Sequence, residues 1–211
     1  MRIPIAKEGY PFIFGSLIIV LVLWFLSVSL LIFLSIGWTL FVIFFFRDPE
    51  RTIPIGKANI VSPADGKVII AEEVFEEHHL KKRALKISVF MSVFNVHVNR
   101  IPMDGDILNI DYHPGKFFNA SFDKASSLNE RNELLIRDRE GRETLLVQIA
   151  GLIARRIVCY RKEGDKVCKG ERFGLIRFGS RLDIYLPPET ELKVKIGQMV
   201  KAGETVLGIS I

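Results

Sequence analysis

The chain has 211 residues, 49% of them hydrophobic, and carries 29 Lys+Arg against 24 Asp+Glu for a net charge of +5. That length holds about one and a half ordinary domains, which excludes a large multidomain enzyme. The apolar fraction is high for a small soluble protein while the charged fraction, 25%, is ordinary, so the apolar excess must be concentrated in one place.

It is concentrated at the front. From Gly9 to Phe46, 38 consecutive positions carry no charge. A helix needs roughly 20 apolar residues to cross a bilayer, so the run is long enough for two short crossings, with Ser27, Ser29, Ser35 and Gly37 marking the turn region near its middle. A transmembrane helical hairpin is the simplest reading, and a single long tilted span is the alternative; the run far exceeds the about 7–15-residue core of a cleaved signal. Arg2 and Lys7 precede it and Arg47 and Arg51 follow it. With two crossings, the positive-inside rule puts both ends, and the rest of the chain, on the cytoplasmic side of the cell membrane. Residues 1–46 are thus expected to anchor the protein and residues 47–211 to carry its chemistry. The modest basic excess suits a surface held against anionic lipid. Nucleic acid is not an expected partner, because basic and acidic residues are interleaved and no stacking motif accompanies them. Cys159 and Cys168, the only cysteines, form no metal-ligand pattern and are read as reduced and structural.

After Arg47 the chain turns to short apolar runs punctuated by Gly, Pro, Asn and Asp, the grammar of β-sheet. Predicted strands span Lys67 to Ala71, Ala84 to Phe90, Asn95 to Ile101, Gly105 to Tyr112, Leu134 to Asp138, Thr144 to Ala150, Arg172 to Phe178, Arg181 to Tyr185 and Thr205 to Ile211. Outside the N-terminus no long 3.6-residue period is present, so at most short helices are expected, one around Leu152 to Ile157. An internal repeat supports a mainly β fold. Residues Glu163 to Glu171 recur in spirit as Ile196 to Glu204, each copy with the pattern G-x-x-V-x-x-G-E, at an offset of 33. This pattern resembles the hairpins of barrel-sandwich domains such as lipoyl and biotinyl carriers, and a barrel-sandwich-like soluble domain is the expected fold. A carrier would also need a modifiable lysine at a tight hairpin tip, and neither Lys166 nor Lys201 has the usual Met-Lys setting.

Chemistry is suggested by Gly179-Ser180, set between two strand-like runs, together with Asp65 in Ser62-Pro63-Ala64-Asp65-Gly66-Lys67 and His97 alternating with Val96 and Val98. An acid, a base and a nucleophile scattered along a β domain can converge as an orienting carboxylate, a general base and an attacking hydroxyl. Spacing alone does not establish convergence, and a lone strand histidine is more often structural.

Six blocks, in order, carry a family resemblance: Phe46-Arg47-Asp48-Pro49-Glu50-Arg51, Ser62 to Gly66, Val96-His97-Val98-Asn99-Arg100, Tyr112-His113-Pro114-Gly115-Lys116-Phe117, Asn129-Glu130-Arg131-Asn132 and Arg177-Phe178-Gly179-Ser180-Arg181. Together they resemble the short phosphatidylserine decarboxylases. The resemblance implies a membrane-bound lyase of phospholipid biosynthesis, a zymogen that cuts itself between Gly179 and Ser180. Ser180 would attack the preceding carbonyl and become a covalent pyruvoyl group at the head of a small chain, 180–211, beside a large chain, 1–179. By position, His97 would take the Ser180 proton and Asp65 would orient His97. The pyruvoyl group would form a Schiff base with the serine phospholipid and act as electron sink, with no metal.

One departure is visible. Longer members carry a second histidine three residues before the one matched by His97, and here that position is Phe94. His113, His97 itself or a water are then the candidate proton donors for decarboxylation. Phe117, Phe118 and Phe122 are read as core sooner than as interface residues, and His78 and His79 as part of a solvated turn without a role. An ether-linked archaetidylserine is an alternative substrate, since it presents the same serine phosphate. A noncatalytic membrane-anchored binding module is the alternative of another class. A serine hydrolase would need a strand-turn-helix elbow at Ser180, which the sequence does not provide.

Overall fold

The structure, a computed structural model, describes residues 4–118, 128–152, 156–177 and 180–211. The chain divides into two compact units, Met1–Glu50 and Arg51–Ile211.

The first unit is a helical hairpin. A 3-10 turn over Lys7–Gly9 leads into α1 (Tyr10–Phe25), with Pro11 in its first turn, and α2 (Ser29–Phe45) returns. The reversal is made at Ser27, which takes φ 57. The open end is tied by backbone: Ala6 N–H donates to the Phe46 carbonyl at 2.8 Å and Asp48 N–H to that of Pro4 at 2.7 Å. Phe12 stacks on Phe46 there, ring centroids 5.4 Å apart. Hydroxyls inside the helices are returned to their own backbone, Ser16 to Ile13, Ser35 to Ile32 and Thr39 to Ser35, each at 2.8 Å, which leaves apolar surface on view. Phe14, Ile18, Trp24, Phe33 and Leu40 are all exposed. The segment Lys7–Phe25 is long and apolar enough to cross a membrane by length and composition, and Ser29–Phe45 is a shorter apolar helix.

The second unit is mainly β. In chain order its strands are β1 (Asn59–Val61), β2 (Gly66–Glu76), β3 (Lys82–Met91), β4 (Val98–Arg100), β5 (Gly105–His113), β6 (Arg131–Arg137), β7 (Glu143–Ala150), β8 (Ile157–Cys159), β9 (Lys166–Val167), β10 (Arg172–Ile176), β11 (Ser180–Leu186), β12 (Glu191–Leu192), β13 (Met199–Val200) and β14 (Val206–Ile209). A curled eight-stranded sheet runs β13-β2-β3-β11-β7-β6-β5-β9, and two three-stranded sheets, β1-β14-β12 and β4-β10-β8, complete the unit. Every pairing in them is antiparallel. All nine predicted strands are present with shifted ends. The expected helix around Leu152 to Ile157 lies partly outside the described residues, and strand β8 begins at Ile157.

The sequence repeat has a structural meaning. Its two copies supply β9 and β13, which close opposite edges of the large sheet. In each copy the opening glycine lies in the left-handed region, Gly164 at φ 83 and Gly197 at φ 90. Each of these glycines donates its N–H to the strand next to the edge at 2.8 Å, Gly164 to Ile107 of β5 and Gly197 to Val68 of β2. The main core lies inside the curl, built from Val68, Ile87, Val89, Met91, Leu134, Ile136, Leu146, Leu182, Ile184 and their neighbours. A smaller cluster of Leu80, Ala84, Leu145, Val147 and Ile149 covers the outer face.

Candidate active site

Ser180 is the first residue of β11, paired with Met91 of β3 on one side and Ala150 of β7 on the other. It is fully buried. Alternation along the strand turns Ser180, Leu182, Ile184 and Leu186 toward the main core and Arg181, Asp183 and Tyr185 to the outer face. On the outer face, amid the smaller apolar cluster, Arg181 grips both carboxylate oxygens of Asp183 at 2.5 and 2.9 Å and reaches the Ser88 hydroxyl at 3.0 Å. Phe178 and Gly179, the other side of the expected cut, lie outside the described residues.

His97 immediately precedes β4 and is 1% exposed. Its carbonyl accepts the Ile176 N–H at 3.4 Å, so the histidine sits beside the strand that leads to residue 180. Asn99, two residues on and within β4, looks at the Ser180 end of the large sheet. The Asn99 amide reaches Gln148 of β7 at 2.8 Å and the Met91 sulfur at 3.6 Å, while the Ser180 Oγ lies 3.9 Å from the same sulfur. Gln148 in turn accepts from Asn132 of β6 at 3.0 Å. The close approach of β10 depends on Gly174, because a Cβ there would lie 2.2 Å from the Val158 carbonyl oxygen and 3.1 Å from the Gln148 amide nitrogen. Asn129, also buried, donates to the Ala150 carbonyl at 2.7 Å and so braces the residue opposite Ser180.

Asp65 sits in the turn before β2. Its carboxylate receives Arg51 at 2.9 and 3.1 Å and the Ala202 N–H at 2.7 Å. Asp104, before β5, receives the Lys169 N–H at 2.7 Å in the other copy of the repeat. The two aspartates therefore cap equivalent turns, and only Asp65 adds the arginine. Its turn touches the histidine strand through the Arg100 N–H, which donates to the Pro63 carbonyl at 2.9 Å.

His113 ends β5 opposite Arg131 and lies 3.5 Å from Glu133. Strand register puts His113, Arg131 and Glu133 on the outer face, the side of Arg181 and Asp183 and not of Ser180. Glu133 is the centre of that group: Arg131 and His79 each contact it at 2.6 Å. Burial pushes its carboxyl pKa up, but the hydrogen bonds from Arg131 and His79 outweigh burial and hold it below the usual carboxylate range. His79 is thus part of a hydrogen-bonded cluster, a correction to its reading as an idle member of a solvated turn. Glu76 anchors the turn by accepting from the N–H groups of His78 and His79, each at 2.9 Å. Phe94 is 67% exposed, and Phe117 packs against the main core while Phe122 lies outside the described residues. A cleft of about 370 Å³ lined by Lys57, Met103, Asp138, Arg142 and Ser210 shares no residue with the Ser180 group.

Sequence reasoning missed Asn99, Asn132 and Gln148 as a set. The available signal was Gln148 alone in the apolar run Leu145 to Ala150, since an amide in a strand buried on both faces needs a partner.

A family model described as phosphatidylserine decarboxylase, an enzyme, matches residues 38–208. Proteins named phosphatidylserine decarboxylase proenzyme are close to the chain over nearly its whole length. That of Syntrophus aciditrophicus is 53% identical over 205 residues, covering 97% of this chain and 96% of the relative. That of Geobacter metallireducens is 50% identical over 211 residues, covering 98% and 96%, and that of Ruegeria pomeroyi 54% over 207, covering 97% and 94%. The chain belongs to the phosphatidylserine decarboxylase family.

Proposed function

We propose that the chain is a proenzyme that cuts itself before Ser180 and then decarboxylates phosphatidylserine to phosphatidylethanolamine at the membrane; that its relatives are named phosphatidylserine decarboxylase proenzyme supports the activity and the precursor state. The observation that carries this reading is the position of Ser180, wholly buried at the head of a central strand. A hydroxyl out of reach of external esters has its own backbone as the nearest electrophile, which favours intramolecular attack over hydrolase chemistry.

In this reading the Ser180 Oγ adds to the carbonyl carbon of residue 179 while His97 takes its proton. The C–N bond breaks and an ester forms, the freed amine taking the proton that His97 holds. Loss of the Ser180 α-proton then expels the carboxylate of residue 179, and the resulting enamine takes up water and releases ammonia to leave a pyruvoyl group. No oxidant is consumed at any step. Asp65 acts as the orienting acid for His97, supported by the hydrogen bond that links its turn to the histidine strand. The surroundings of Ser180 suit such a group: residues 180–186 are gripped on both sides by β3 and β7, so the new chain end stays fixed after scission, and the donor of Asn99 approaches the same Met91 sulfur as the Ser180 hydroxyl. Once formed, the pyruvoyl carbonyl supplies an electron sink for the charge left as carbon dioxide departs. The chain's own residues orient the headgroup and return a proton, and the assignment of faces favours His97 over His113 for that proton.

Residues 1–46 serve as the membrane anchor and residues 47–211 as the decarboxylase domain on the cytoplasmic side, a division supported by the uncharged run and its basic flanks. A substrate that stays in the bilayer fits an enzyme that does the same. Denaturing electrophoresis with mass measurement tests the reading: the wild-type chain is expected to yield a 32-residue fragment, 180–211, with a blocked N-terminus, and to release carbon dioxide from phosphatidylserine vesicles. Ser180→Ala should remain one inactive chain and His97→Ala should cut about 10²–10⁴-fold more slowly. Normal fragments from Ser180→Ala would end the proposal.

A further inference from the structure

Three amide side chains cross the main core in a directed line. Asn132 donates to the Gln148 carbonyl oxygen at 3.0 Å, Gln148 donates to that of Asn99 at 2.8 Å, and Asn99 Nδ2 points at the Met91 sulfur at 3.6 Å. Asn99 and Gln148 are 0% exposed and Asn132 3%. Burying amides is costly unless their hydrogen bonds are made, and apolar residues would fill the space at less cost. The far end fixes the direction. A thioether has no hydrogen to donate, so Asn99 must turn its N–H toward Met91, and Gln148 and Asn132 follow in sequence. The line delivers a donor to the sulfur that the Ser180 hydroxyl also approaches, at 3.9 Å.

That donor is poorly matched in the uncut chain, because a thioether is a weak acceptor and no other acceptor for it is present among the described residues. A donor held in place and weakly used before reaction gains most when negative charge appears next to it, which is the condition for stabilising a transition state more than a ground state. We propose that Asn99 Nδ2–H is the donor for the oxyanion of self-cleavage, with Gln148 and Asn132 as positioning residues; this rests on the self-processing reading above. As the Oγ–C bond forms, the proton passes to His97 and the carbonyl π pair moves onto oxygen, where Asn99 meets it. Collapse returns that pair and expels the amine of residue 180, which takes its proton from His97.

Self-cleavage of the full-length chain, followed by gel and intact mass from synthesis onward, tests this without reading decarboxylation. Asn99→Ala is expected to cut about 10²–10³-fold more slowly than wild type. Hydroxylamine, which severs esters, should not release the fragment faster from Asn99→Ala, because the ester itself forms slowly. Two near-isosteric variants separate donation from packing. In Asn99→Asp and Gln148→Glu the charged carboxylate accepts but does not donate, and burial raises its pKa. Both should therefore be slowed most at about pH 8, and their rate relative to wild type at the same pH should recover toward about pH 5.5 as the carboxyl regains a proton, the loss of neutral base being common to all three. Cleavage of Asn99→Ala at the wild-type rate, rapid hydroxylamine release from it, or a wild-type pH profile in both acidic variants would overturn the role of Asn99 while leaving self-processing intact. A wild-type chain that never cuts would overturn the self-processing reading itself.

Discussion

Glu133 ties three segments together through one carboxylate, receiving Arg131 from its own strand, His79 from the turn after β2, and His113 from β5, with Asp111 3.7 Å from His79 as the nearby like charge. Its folded-state pKa is depressed, so its contribution is complete above the unfolded value of about 4.3 and is lost as pH falls through the lower folded value. Glu133→Gln should cost about 1.5–3 kcal/mol near neutral pH, the range for hydrogen bonds to charged groups. The difference from wild type should shrink as pH drops below about 4.3. Denaturant unfolding of the full chain in detergent across that range measures it, and a penalty that stays constant down to acid pH would refute the assignment. This cluster was invisible in the sequence for a physical reason. His78 and His79 sit among charged residues, the pattern of a solvated turn, and only the fold of the sheet brings Glu133 to His79. Ser180 and His97 were legible because each interrupts an apolar strand pattern. Asn99 was quoted in its motif, but its partner Gln148 is 49 residues away and no local pattern links them.

At the level of elements, the repeat at offset 33 was readable because turns constrain sequence strongly: a left-handed residue asks for glycine, and the edge strand after it asks for a buried Val at 167 and 200. Strands shorter than four residues, such as β1, β8 and β12, carry too few alternations to announce themselves. The repeat also sets up a controlled comparison. Asp65 and Asp104 cap equivalent turns through the N–H groups of Ala202 and Lys169, both at 2.7 Å, so each should tolerate replacement by asparagine, which keeps an acceptor oxygen. If Asp65 also orients His97, Asp65→Asn should slow self-cleavage by at least about tenfold, with Asp104→Asn unchanged, since general-base assistance is typically worth about 10²–10⁴-fold. Arg51→Gln, which removes the ion pair at 2.9 Å but leaves the carboxylate, shows how much of the effect belongs to the arginine. Equal cleavage by Asp65→Asn and Asp104→Asn would reduce Asp65 to a turn cap.

For the whole molecule the deciding quantity is how the uncharged run meets the bilayer. Seventeen residues of α2 span about 26 Å at 1.5 Å per residue, a few ångströms short of a hydrocarbon core of about 30 Å. Local thinning and the basic flanks can absorb a mismatch of that size at modest cost. The hairpin is closed at its open end by the pairing of Ile5 with Arg47, so both flanks leave the same end of the helix pair. Reporters fused before Met1 and after Ile211 should therefore read as lying on one side of the membrane, the cytoplasmic one, by the basic residues at 2, 7, 47 and 51. The turn at Ser27 must then reach the opposite side. A Ser27→Cys variant, made with Cys159 and Cys168 replaced by serine so that the exposed Cys168 thiol does not react, should be labelled by an impermeant thiol reagent added from outside intact cells stripped of any outer barrier. Reporters on opposite sides would show that the run crosses once. Reporters on one side, with the introduced thiol labelled only after the membrane is opened, would show a hairpin that enters and leaves the same leaflet, and would move the turn from the far surface into the lipid.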